Sequence, residues 1–147
     1  MIQNIHTILK KLYMTYAVIF PPIKGTDAGS AALILVRAGV PKIPADYAAF
    51  LEVSNGLYWN GLELFSLSEQ PRNKGAFMHT GILQNYLTYV RNPLLNKKLV
   101  VGMAPEALIA YDAAANAYQV LDKMSYAVVA THATLVDFLL DYADLNG

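Results

Sequence analysis

Histidines, serines, carboxylates and glycine-rich turns are where a chain of this kind would carry chemistry. The three histidines are His6, His79 and His132. None falls into the HxH or HExxH spacing that brings two imidazoles onto one metal. Each is expected to be solvated or to serve as a local hydrogen-bonding group. The serines are Ser30, Ser54, Ser66, Ser68 and Ser125, and none sits in a GxSxG elbow that would expose a nucleophile. Asp and Glu are spread singly, so no pair for acid–base work on a glycoside can be named from spacing. Gly25 and Gly29 flank Thr26 and Asp27 without a preceding strand or a Gly-Lys-Ser/Thr ending, which a phosphate-cradling loop requires. With no cysteine, thiolate nucleophiles, disulfides, iron–sulfur clusters and Cys-ligated zinc are all excluded. No catalytic residue, cofactor or metal is therefore assigned.

The elements that would position any site belong to one domain. The 147 residues suit a single core, expected to span 1–147. Hydrophobic residues make up 55% and charged residues 15%, the reverse of a disordered composition. Eleven basic residues balance eleven acidic ones, which argues against a general nucleic-acid binder. No run reaches the roughly 18 apolar residues of a membrane span. Lys10-Lys11 ahead of LYMTYAVIF faintly resembles a signal peptide, but no small-x-small cleavage site follows. An amphipathic helix through the lysines explains this segment better, and a cytoplasmic location is expected.

That first helix should run from about Ile2 to Tyr16, leave through apolar Val18 to Phe20 and stop at Pro21-Pro22. Thr26 or Asp27 can cap a second helix through Ala31 to Ala38, ended by Gly39. Pro44 opens a third helix, in which Tyr47, Phe50, Leu51 and Ser54 share one face and Asn55-Gly56 closes the end. Asn60-Gly61 between two extended runs predicts a hairpin, with Trp59 opposite Leu62 and Leu57 opposite Leu64. SLSEQPRNKGAF reads as a surface loop, and Ile82 to Val90 as a fourth helix stopped by Asn92-Pro93. Four strands follow: LVVGM, ALIAYD, AYQVLD and YAVVA, with connections short enough for a meander. Thr134 with Asp137 resembles a capping box at the start of a last helix. Its apolar stripe is Leu135, Phe138, Leu139 and Tyr142. The fold class is α+β, a mixed and mostly antiparallel sheet of about six strands with about five helices packed on it. Phe50, Leu51, Leu64, Ile109, Phe138 and Leu139 are expected in the core.

Charge is uneven along the chain. Residues 70 to 105 carry Arg72, Lys74, Arg91, Lys97 and Lys98 and no acid, whereas residues 106 to 147 carry six acids against Lys123. Asp137, Asp141 and Asp144 follow i, i+4, i+7 on the last helix. They form either a solvated face or an acidic docking strip for a basic partner. Tyr58, Trp59 and Asn60 at the hairpin are the second candidate partner-binding group. Such aromatics serve equally at the wet boundary of a core and as interface anchors.

From Ile43 the chain reads I-P-x-D-Y-x-x-F-L-x-x-x-N-G, which resembles the signature of the SUKH superfamily, the Smi/Knr-like cell-wall-assembly regulators and many small bacterial proteins. The hairpin NGLYWNGLELFSL and the ending THATLVDFLLDYAD are also similar to that family. Leu57 stands where many members have a second glycine, and Thr134 where a serine before an aromatic is usual. The motif residues are Pro44, Asp46, Tyr47, Phe50, Leu51, Asn55 and Gly56. The resemblance implies an α+β domain without catalytic residues. It further implies an interaction module, commonly an immunity protein that neutralises a partner toxin. The competing expectation is a small-molecule-binding, regulatory or enzymatic domain with a pocket between helices and sheet. Nucleic acid and membrane are not expected partners.

Overall fold

The computed structural model describes residues 5–13, 18–19, 36–37, 39–67, 70–72, 77–95 and 97–146. Along the chain these form α1 (Ile5–Tyr13), β1 (Val18–Ile19), α2 (Ala45–Val53), β2 (Leu57–Trp59) and β3 (Leu62–Leu64). Then come β4 (Gln70–Arg72), β5 (Phe77–His79), α3 (Ile82–Tyr89), β6 (Leu99–Ala104) and β7 (Ala107–Asp112). The chain ends with β8 (Ala117–Asp122), β9 (Val128–His132) and α4 (Leu135–Asn146). Seven strands make one sheet in the order β1-β2-β3-β6-β7-β8-β9, every pair antiparallel. The fold is α+β.

The hairpin follows from its turn. Asn60 at φ 48° and Gly61 at φ 82° both take the left-handed conformation that matches the twist of paired strands. The register is Leu57 opposite Leu64 and Trp59 opposite Leu62, as the alternation predicts. In α2, Tyr47, Phe50, Leu51 and Ser54 are buried and Ala48, Ala49 and Glu52 exposed, which is the expected face. In α1, Ile8 and Leu9 are buried while Lys10 and Lys11 are exposed. All six expected core residues are 3% exposed or less and belong to one cluster. Gly102 lies where β6 crosses β3. A Cβ there would sit 2.6 Å from the Glu63 carbonyl oxygen, so only glycine allows the strands to approach.

The structure corrects three expectations. Val18–Ile19 is not a helix exit but an edge strand, paired with Tyr58 and Leu57. The segment read as a loop, 66–77, holds β4 and the first residue of β5, which pair as a two-stranded ribbon with Gln70 opposite His79 and Arg72 opposite Phe77. Three-residue strands around a proline leave no period-2 signal. The last strand starts at Val128 rather than at Tyr126. Tyr126, at φ 61°, still belongs to the turn, where its N–H donates to the Asp122 carbonyl. Four helices stand among the described residues, against about five expected. The second expected helix, 31–38, lies outside them save for helical Val36 and Arg37, as do its caps Thr26 and Asp27.

Candidate functional site

The motif side chains are engaged in joining helix to sheet. Pro44 is the N-cap of α2 and its carbonyl accepts the Ala48 N–H at 3.0 Å. Asp46 follows in the first turn. One of its carboxylate oxygens accepts the Tyr118 hydroxyl at 2.6 Å, and the other accepts the Leu135 N–H at 2.9 Å. The carboxylate therefore caps α4 from a different helix, satisfying an N-terminal donor that has no partner within α4. Thr134 supplies the local half of the cap, its hydroxyl accepting the Asp137 N–H at 3.1 Å. Tyr47 is fully buried, with its hydroxyl 2.5 Å from the Phe65 carbonyl oxygen and 3.0 Å from that of Val101. One phenolic proton thus serves two carbonyls where β3 ends beside β6. Phe50 packs edge-on against Tyr47, centroids 5.2 Å apart. Asn55 holds the end of α2 to the chain beyond β3, its side-chain oxygen accepting the Leu67 N–H at 3.0 Å. Gly56, at φ 113°, makes the turn out of the helix.

These environments shift the phenols. Burial pushes Tyr47 well above its ordinary value, and the negative charge of Glu63 adds to the effect. Burial does the same to Tyr118, reinforced by its hydrogen bond to Asp46. Tyr89 is pushed up to about 12, chiefly by burial and against the Val100 N–H, which donates to its oxygen.

The hairpin group is divided by the sheet. Trp59 is only 4% exposed and meets Tyr142 edge-on at 5.9 Å, so it is a core side chain and not an exposed anchor. The sheet alternation that turns Trp59 inward turns Tyr58 outward, 37% exposed. Asn60 is exposed, but its carbonyl accepts the Tyr142 hydroxyl at 2.7 Å, which fixes the tip to α4. Asp137, Asp141 and Asp144 are all exposed on α4. Asp141 is paired with His132 at 3.1 Å, and the buried second ring nitrogen of His132 has no hydrogen-bond partner among the described residues. Among the described residues no hydroxyl is bonded to that ring. Among the described residues no three His, Asp or Glu side chains gather as a metal set. His6 lies in α1 and His79 ends β5. Among the same residues no helix is long and apolar enough to cross a membrane.

Of the basic segment, Arg91 and Lys97 are exposed, and Lys98 donates to the Gln119 side chain at 2.5 Å. Sequence reading missed a cavity of about 270 Å³ beside α3, lined by Asn85, Tyr89, Val100, Lys123 and Tyr126 among others. Its walls come from segments far apart in the chain, so no local motif announces it.

No known family profile matches the chain. Over 77 residues, 52% of its length, it is 35% identical to the uncharacterised protein YrhA of Escherichia coli (strain K12). The chain spans about half the length of that relative, 55%.

Proposed function

We propose that the protein is a non-catalytic, cytoplasmic protein-binding module of the SUKH type, a bacterial immunity protein that neutralises a partner toxin. The observation that carries this reading is the engagement of the motif. Asp46, Tyr47 and Asn55, the polar side chains a catalytic motif would present to substrate, all hydrogen-bond to groups that hold the fold together. Of the candidate partner-binding residues, Asp137, Asp141 and Asp144 on α4 and Tyr58 and Asn60 at the hairpin face outward. Toxins that attack nucleic acid carry basic surfaces because their substrate is polyanionic, and an acidic face is complementary to them.

The test is co-expression and co-purification with the product of the adjacent open reading frame, followed by rate measurements on a variant with all three aspartates changed to Asn. Association should slow as salt rises for the wild type, because exposed charges are screened over about 10 Å at 0.1 M. The triple variant should lose most of that dependence. A complex whose rates change by less than about twofold in the variant places the interface elsewhere. Absence of any complex refutes the immunity reading itself.

A further inference from the structure

We draw no further inference here: the strongest candidate, the outer edge of β9, where Val128 and Val129 are 48% and 64% exposed and follow the exposed Met124 of the preceding turn, is an apolar sheet edge, and nothing in the structure shows what covers it.

Discussion

The Asp46 carboxylate reaches the Leu135 N–H at 2.9 Å across 89 residues of sequence, and with its other oxygen it holds the Tyr118 hydroxyl at 2.6 Å. One side chain therefore ties α2, β8 and the start of α4 together. Asp46→Ala leaves the Tyr118 hydroxyl and an N-terminal helix donor without their acceptor. The expected loss is about 2–4 kcal/mol, one unpaired buried hydroxyl plus one cap. Asp46→Asn keeps one acceptor and should lose less. In a double-mutant cycle by urea unfolding, Asp46→Ala and Tyr118→Phe should be non-additive by about 1 kcal/mol.

High pH should unfold the protein through its buried phenols. In the unfolded chain a tyrosine releases its proton near its ordinary value of 10.0, while Tyr47, Tyr89 and Tyr118 keep theirs in the folded state. Above about pH 10 the unfolded state binds fewer protons, so stability is full below that pH and falls above it, by about 1.4 kcal/mol per pH unit for each phenol. The Tyr89 contribution is spent by about 12, the value to which its own titration is raised. Urea midpoints measured across this range should drop, and Tyr118→Phe should make the drop shallower.

Two phenylalanines 88 residues apart anchor the core. Phe50 on α2 is fully buried and Phe138 on α4 is 3% exposed. Replacing either with Ala should cost about 3–5 kcal/mol, the lost transfer energy plus the cavity left behind. Losses near zero at both sites in denaturant titrations would mean that the apolar stripes do not carry the core.

Gly102→Ala should be among the most damaging single-methyl changes. Its Cβ would lie 2.6 Å from the Glu63 carbonyl oxygen and 3.0 Å from a Leu64 methyl carbon. Because the first of these is backbone, relief requires β3 and β6 to separate. The expected loss is at least about 2 kcal/mol, at the upper end of overpacking costs, with amide exchange accelerating at Leu64 and Met103.

Trp59→Ala should act on stability rather than on recognition. The ring is buried against Tyr142, so a loss of about 3–5 kcal/mol is expected. Tyr58→Ala should cost far less, since that ring is partly exposed. The melting temperatures of the two variants provide the check.

By itself the sequence determined whatever depends on neighbouring residues. The Asn60-Gly61 turn and the alternation around it specify the register of β2 on β3, because a slip by one residue would move Leu57 and Leu64 to the wrong face. The i, i+3, i+4 spacing of Tyr47, Phe50 and Leu51 specifies the buried face of α2, and Thr134 with Asp137 marks the start of α4. Tertiary structure alone decided what those residues touch. β1 is extended because β2 offers it a partner, and the β4–β5 ribbon exists through hydrogen bonds between strands too short to carry a pattern. Trp59 is buried because Tyr142, arriving from the last helix, covers the hairpin. Asp46 and Tyr47 are recognisable as a motif, but their partners lie 18 to 89 residues away. The α3 cavity likewise has walls from α3, β6 and the β8–β9 turn. Periodicity and turn chemistry are local properties of a chain, whereas the pairing of a buried polar group is settled only when distant segments close around it.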